Sequence, residues 1–246
     1  MRRFHVPGQY EPGQKVCLTG SEARHAIRVL RLGPGDAIEI LDGVGNRSVA
    51  RIEKAEADRV TALVTETLLA PPPALSVTLA LAFLKSDKMD FVVNSATQLG
   101  ISAFVPFEAK RSVARPNAEK TDSRIKRWER IAREAVKQCG LSVTPRIERP
   151  VDLEALCSMG RDFDFALAFW EEDKTPLSAV APQNPPKSVL VVIGPEGGLT
   201  ESEIEGMKDA GFKSASLGPR IMRAETAAVS ALVLVQYLFG DLRGRS

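Results

Sequence analysis

Val191-Val192-Ile193-Gly194-Pro195-Glu196-Gly197-Gly198-Leu199-Thr200 is the stretch whose reading decides the fold. From Ser188 to Ile193 the run is apolar without alternation, which fits a strand buried on both faces, as in a parallel sheet. Gly-Pro-Glu-Gly-Gly continues neither a ladder nor a helix, so the chain must turn there. Thr200-Glu201-Ser202-Glu203 then carries a hydroxyl and a carboxylate at capping-box spacing, which starts a helix over Thr200 to Ala210. Strand, glycine turn and capped helix make one unit of a parallel α/β sheet, and ligands of such sheets sit at the carboxyl ends of the strands. No Lys-Ser/Thr pair follows the glycines, and the Gly-x-Gly-x-x-Gly spacing is missing, so neither a P-loop nor a dinucleotide fingerprint is present. Alone, the segment is equally well an ordinary tight turn.

It has a second copy in kind. Leu217-Gly218-Pro219-Arg220-Ile221-Met222-Arg223-Ala224-Glu225-Thr226-Ala227 again runs from a strand through a glycine turn into a helix start. Two such loops at neighbouring strand ends enclose a flat heterocycle. Arg220 and Arg223 beside the turn suit an anion or a base.

Working outward, strands and helices alternate from Ser76: strands at Ser76 to Phe83, Ile101 to Phe107, Phe163 to Phe169 and Ser214 to Leu217, and helices at Asp87 to Leu99, Ser123 to Cys139 and Glu225 to Phe239. This alternation predicts an α/β domain, a parallel sheet with helices on both faces. The helix at Ser123 places Ile125, Trp128, Ala132, Ala135 and Cys139 on one stripe, with Arg124, Lys126, Arg127, Arg130 and Arg133 mostly off it; a solvated basic face and an RNA contact are both open.

Before Ser76 the character differs. Ala70-Pro71-Pro72-Pro73 reads as a stiff linker, which sets the boundary between a domain of residues 1–72 and one of 73–246. Asp36 to Leu41, Arg47 to Lys54 and Arg59 to Thr67 are short β runs, so the first domain is a small β-barrel or sandwich. Ile38-Glu39-Ile40-Leu41-Asp42-Gly43-Val44-Gly45-Asn46 imitates the strand and glycine loop of Rossmann methyltransferases, but a strand follows where that fold needs a helix, so it is a hairpin. In Ser21-Glu22-Ala23-Arg24-His25-Ala26-Ile27-Arg28-Val29-Leu30-Arg31, read as a helix, Arg24, Arg28 and Arg31 recur on one face. With Arg2, Arg3 and His25 they form a candidate phosphate-contacting patch.

The totals bound the function. A net charge of +2 over 246 residues makes any nucleic-acid site local. Cys17, Cys139 and Cys157 with His5 and His25 give no metal or disulfide framework, so no metal is expected. The start lacks the apolar run of a signal peptide, the longest apolar stretch is interrupted by Ser230 and Gln236, and a cytoplasmic protein without membrane partners is expected.

Together, His25 to Arg31, Lys85-Ser86-Asp87-Lys88-Met89-Asp90, Gly194 to Leu199 and Leu217 to Thr226 resemble the SPOUT ribosomal RNA small subunit methyltransferase E family, which methylates uracil N3 in 16S rRNA. The resemblance spans nearly the whole chain. It implies a SPOUT fold with a C-terminal trefoil knot, an N-terminal PUA-like β-barrel and a homodimer through the SPOUT domain. It implies 16S rRNA or the 30S subunit as partner, and S-adenosyl-L-methionine held by Leu167, Ala168, Phe169, Gly194, Pro195, Glu196, Gly197, Gly198, Leu217, Gly218, Arg220, Ile221, Met222, Arg223 and Thr226. Arg223 is the expected holder of the target base, Glu196 and Glu225 are expected bases or loop organisers, and Lys85 joins the RNA-binding set. Uracil N3 must lose a proton before it attacks, so the site needs a base or a way to stabilise the anion.

Three positions depart from the family pattern: Gln98 and Lys137 stand where acids are usual, and Leu141 where arginine is usual. A lost ion-paired cluster beside the target and compensated structural drift are the two readings. A catalytically weakened RNA-binding or ribosome-assembly protein of the same fold, and an altered target base, are the alternatives to the methyltransferase reading. A nucleotide-dependent oxidoreductase is disfavoured by the missing fingerprint.

Overall fold

Short strands whose alternate residues are apolar open the chain: β1 (Arg2–His5), β2 (Lys15–Thr19), β3 (Ala37–Leu41), β4 (Asn46–Glu56) and β5 (Arg59–Leu69). They pair in the order β1-β3-β4-β5-β2, with β1 parallel to β3 and every other pair antiparallel. Register shifts between Val49 and Ala50 and between Ile52 and Lys54 add bulges, which increase local twist and curl the sheet. The inward residues Phe4, Val16, Leu18, Ile38, Ile40 and Ile52 are buried in one core. The computed structural model describes residues 1–69, 73–112 and 118–244, so the linker read at 70–72 lies outside the described residues.

The segment that imitates a Rossmann loop is a hairpin turn between antiparallel β3 and β4. Asp42 Oδ1 accepts from the backbone N–H of Val44, Gly45 and Asn46 at 2.8, 3.1 and 2.9 Å. Gly43 and Gly45 take φ of 83° and 122°, angles that side chains resist.

The arginine segment departs from the expected helix. Only Gly20–Arg24 (α1) is α-helical; His25–Val29 is a π-turn, closed by Leu30 N–H donating to the His25 carbonyl at 3.0 Å, and Arg31 has φ 55°. The wider turn breaks the 3.6-residue spacing, so Arg31 does not continue the stripe of Arg24 and Arg28.

This smaller unit comprises Met1–Pro72 together with Arg133–Thr144, which a single cut after residue 72 leaves out. Lys137 Nζ meets Glu22 at 2.7 Å and Glu134 at 2.8 Å, and Thr144 N–H donates to the Gly43 carbonyl at 2.9 Å. Arg3 pairs with Glu39 at 2.9 Å and donates to the carbonyls of Lys137 and Gln138.

The larger unit, Pro73–Ala132 with Pro145–Ser246, alternates as its sequence predicts. Its elements are β6 (Ser76–Ala82), α2 (Ser86–Gln98), β7 (Ala103–Phe107), α3 (Ala118–Cys139), β8 (Arg146–Ile147), α4 (Leu153–Met159), β9 (Phe165–Phe169), α5 (Leu177–Val180), β10 (Ser188–Ile193), α6 (Glu201–Asp209), β11 (Lys213–Ala215) and α7 (Ala224–Phe239). Helix α3 counts with this unit to Ala132 and with the smaller one beyond it. All six strands are parallel, in the order β11-β9-β10-β6-β7-β8. One face packs on α2, α7 and Trp128 of α3, the other on Leu156 of α4 and Ile204 and Met207 of α6. Burial on both faces explains the unbroken apolar runs; truncating a core residue such as Leu79 or Leu232 to Ala would cost about 2–5 kcal/mol.

The capping box at α6 is present. Thr200 and Glu203 satisfy each other's backbone N–H, and the buried Glu203 also accepts from Lys110 N–H at 2.8 Å. In α7, Ala228, Ala231, Leu232 and Val235 point inward while Val233, Leu234 and Tyr237 are exposed, as is Phe91 on α2. Gln236 is buried and its amide donates to the Leu99 carbonyl at 2.8 Å, closing the end of α2.

The strand order positions the site. From β6 the chain goes one way through β7 and β8, then returns to build β9, β10 and β11 on the other side of β6. Because the sheet is parallel, the loops that follow β11, β9, β10 and β6 leave the same edge side by side, at the place where the order reverses.

Candidate functional site

A cleft of about 1020 Å³ lies over that edge. Its walls are Trp170 to Lys174 with Pro176 and Leu177 after β9, Gly194 to Glu196 with Gly198 after β10, and Ser216 to Ala224 after β11, with Phe169, Ile193 and Lys88 also lining it. The volume and mostly apolar floor are those of a pocket for a cofactor-sized ligand.

The three loops are tied to one another. Trp170 Nε1–H donates to the Leu199 carbonyl at 3.1 Å, Trp170 N–H to the Ala215 carbonyl at 3.0 Å, and Ser216 N–H to the Thr175 carbonyl at 2.8 Å. Asp173 accepts from Thr175 N–H at 2.8 Å; burial pushes its carboxyl up, but the nearby Ser214 hydroxyl and the donors of Thr175 outweigh it and hold the group below the usual range. Arg111 Nη1 donates to the Gly197 carbonyl at 3.0 Å, which braces the β10 loop from outside.

The glycines are placed for close approach. A Cβ on Gly194 would stand 2.8 Å from Leu199 Cγ and 3.1 Å from Leu199 N, so the turn folds flat against the strand end only without a side chain. Gly218 has φ 108° and nothing within 4 Å of where its Cβ would be, so its backbone faces the cleft directly.

Lys88, on the first turn of α2, reaches Glu196 Oε1 at 2.9 Å and Glu225 Oε2 at 3.4 Å. Partial burial pushes the Glu196 carboxyl up, but the Lys88 hydrogen bond and backbone N–H donors pull it below the ordinary range; that hydrogen bond in turn raises Lys88. Glu225 Oε2 is buried with no hydrogen-bond partner among the described residues. A carboxylate held by a cation is a weak base, so Glu196 is built to fix its loop.

Of the residues singled out in sequence, Phe169, Gly194, Pro195, Glu196, Gly198, Leu217, Gly218, Arg220, Ile221, Met222 and Arg223 line the cleft together. Leu167 and Ala168 do not: both are buried strand residues packed into the two cores, and the wall on that side comes from the loop that follows. Gly197 and Thr226 lie beside the cleft without lining it. The loop from Trp170 to Lys174 and the role of Lys88 were missed; the acidic run Glu171-Glu172-Asp173 directly after a strand was the available signal. In the smaller unit, Arg2, Arg24, His25, Arg28 and Arg31 are exposed, whereas Arg3 is half-buried and engaged with Glu39. Lys85 is exposed at the start of α2. Gln98 donates to Asn94 on its own helix at 2.6 Å, and none of Gln98, Lys137 and Leu141 lines the cleft.

The donor set suits S-adenosylmethionine: apolar walls for a flat ring, carboxylates for hydroxyls and cationic groups, and exposed glycine backbone. Among the described residues no helix is long and apolar enough to cross a membrane, and no group of three or more His, Cys, Asp or Glu side chains could hold a metal ion.

Comparison with known proteins agrees with this geometry. An RNA methyltransferase domain model matches residues 71–236, and an RNA methyltransferase PUA domain model matches residues 18–65. The chain is 33% identical to Ribosomal RNA small subunit methyltransferase E of Bacillus subtilis over 99% of both chains. It is 30% identical to the protein of that name from Mycobacterium tuberculosis, over 96% of this chain and 91% of that one. The crystal structure of Ribosomal RNA small subunit methyltransferase E from Neisseria gonorrhoeae bound to S-adenosyl methionine superimposes with a TM-score of 0.88 at 28% identity, covering 98% of this chain and 99% of that one.

Proposed function

The chain belongs to the RNA methyltransferase family, and we propose that it methylates small-subunit ribosomal RNA, at uracil N3, using S-adenosylmethionine bound in the cleft over β9, β10 and β11. The observation that carries this reading is the convergence of three loops on one cleft at the reversal of strand order, the loop after β9 being hydrogen-bonded to the other two.

When bound, the cofactor supplies a methyl group on a positively charged sulfur. The chain's own residues do the rest. The turn at Gly218 would let backbone meet the ligand, and the Lys88–Glu196 pair ties the β10 loop to the start of α2. Arg223, exposed at the N-cap of α7 and lining the cleft, holds a uracil carbonyl and stabilises the negative charge left when the N3 proton departs. Glu225, in the first turn of α7 with a buried oxygen that has no hydrogen-bond partner among the described residues, is the candidate to receive that proton. Its partner Lys88 shares a second carboxylate, so Glu225 is the less firmly paired of the two acids.

The exposed Arg24, Arg28 and Arg2 of the smaller unit are the proposed backbone contacts to RNA, with Lys85 beside the cleft. The trefoil knot and the homodimer belong to the same proposal; the exposed Val233, Leu234, Tyr237 and Phe91 supply an apolar face of the kind a second subunit covers. A ribosomal substrate places the enzyme in the cytoplasm. Two of the three family departures sit in satisfied local contacts, Gln98 with Asn94 and Lys137 with Glu22, which favours compensated drift over lost catalysis at those positions.

The test is incubation with small ribosomal subunits and methyl-labelled S-adenosylmethionine, followed by nuclease digestion and mass spectrometry. Label on uracil N3 is expected. Label on another base, or none, overturns the assignment.

A further inference from the structure

A second, smaller pocket of about 200 Å³ lies between α2 and α3, within the larger unit. The residues that give it chemistry are Asp90, Lys120, Ser123, Arg124, Arg127 and Trp128. Among the described residues Asp90 is its one carboxylate, and Asp90 is ion-paired with Arg127, which both neutralises the acid and fixes that guanidinium at the rim. Arg124 is half-buried and, among the described residues, has no carboxylate at ion-pair distance. A partly desolvated guanidinium without a counter-charge is costly unless an anion completes it. Its planar fork, beside the Ser123 hydroxyl, matches the oxygens of a phosphate.

The location says which phosphate. Lys88 lines the cofactor cleft, while Met89 and Asp90, the next two residues of α2, line this pocket. The two sites therefore lie on opposite sides of the first turn of α2, with Lys88 and Asp90 only about 3 Å apart along its axis. A nucleotide whose base enters the cleft carries its neighbouring phosphodiesters past this turn. The pocket is too small for a nucleotide and offers no arrangement that would read a base.

We propose that the α2–α3 pocket is a phosphate subsite that grips the RNA strand next to the target nucleotide, through Arg124 assisted by Arg127 and Ser123. The inference rests on the RNA methyltransferase reading above. It assigns positioning to the site and leaves sequence choice to other contacts.

The experiment compares full-length wild type, Arg124→Ala and Arg124→Lys for binding to a small-subunit rRNA fragment across a salt series, with calorimetric titration of S-adenosylmethionine on each protein. Arg124→Ala is expected to weaken RNA binding about tenfold, in line with the loss of one charge-assisted contact. It should lower the salt slope by about 0.7 to 0.9, the value for one phosphate. Arg124→Lys should keep the slope and lose only part of the affinity. Cofactor affinity should not move in either variant, which also shows that both proteins are folded. An RNA affinity and slope unchanged in Arg124→Ala, with wild type binding RNA, overturns the subsite and leaves the methyltransferase reading standing. Wild type that binds cofactor but neither the rRNA fragment nor small ribosomal subunits defeats both. Inorganic phosphate separates the last case: if it competes with RNA on wild type but not on Arg124→Ala, the strand assignment holds. If it binds at Arg124 without affecting RNA, the site is for a free anion and the proposal fails.

Discussion

Replacing Gly194 by Ala adds one methyl group to the point where β10 ends and the cofactor loop begins. That methyl would sit 2.8 Å from Leu199 Cγ, 3.1 Å from Leu199 N and 3.4 Å from the Gly198 carbonyl carbon. Leu199 is 1% exposed and packed in the core, so its side chain has nowhere to go, and two of the three contacts are backbone. Overpacking of this kind costs about 1–3 kcal/mol. In the free protein the turn from Pro195 to Gly198 relieves it by moving outward, which stretches the Lys88–Glu196 pair and the Trp170 bond to the Leu199 carbonyl. Binding requires the turn to return, so the strain reappears as lost affinity, about 5- to 150-fold in the dissociation constant for S-adenosylmethionine. Calorimetric titration measures it. Gly206→Ala is the control, because Gly206 lies inside α6 with nothing within 4 Å of its would-be Cβ; it should leave affinity unchanged and stabilise the fold by about 0.5–1 kcal/mol. Wild-type affinity in Gly194→Ala would refute the claim that this turn forms the wall of the cofactor site.

Arg223→Ala should lower kcat for RNA methylation by about 10²- to 10³-fold while changing cofactor affinity less than about tenfold; equal losses in both would make Arg223 a cofactor ligand and not a holder of the reacting base. Glu196→Gln should lower the melting midpoint at neutral pH by about 1–3 °C, the scale of a partly exposed ion pair. Because the folded carboxyl is held below its ordinary value of 4.5, the pair's contribution is complete above that pH and disappears as the pH falls through the depressed value, so wild type and variant should converge in acid; a difference that persists there would point to packing. Lys137→Glu, which restores the residue type usual in the family, should destabilise the smaller unit by at least about 3 kcal/mol, because Glu22 and Glu134 both face that position. Intact stability by denaturant titration would show that the Lys137 pairing is incidental.

The parts of the fold that were readable in sequence are those whose signal is local. β10 and α6 declare themselves by an unbroken apolar run and a capping box, and the hairpin at Asp42 by two glycines before a β-type run. β1 and β2 were not readable because Arg-Arg-Phe-His and Lys-Val-Cys-Leu-Thr offer too few apolar residues to show a period; they become strands by pairing with distant partners. The π-turn at His25 changes the helical period over five residues only, too short a span for periodicity to register. Inclusion of residues 133–144 with the smaller unit was hidden because the buried stripe of α3 runs through Ala132 and Ala135 without interruption. At the cleft, the two glycine turns were legible as loops, and most of the residues they carry line it. What joined them was not: the Lys88–Glu196 pair spans 108 positions and the Trp170–Leu199 bond spans 29, and no one-dimensional pattern encodes either. The family resemblance, carried by four short motifs, supplied the identity of the ligand that geometry alone left open.

The most direct measurement is a crystal structure of the full chain with S-adenosylmethionine. One cofactor should be enclosed by Trp170 to Leu177, Gly194 to Gly198 and Leu217 to Arg223, with its methyl group directed toward open space beside Arg223. A cofactor bound elsewhere, or a methyl group buried away from Arg223 where no RNA base could reach it, would contradict this arrangement.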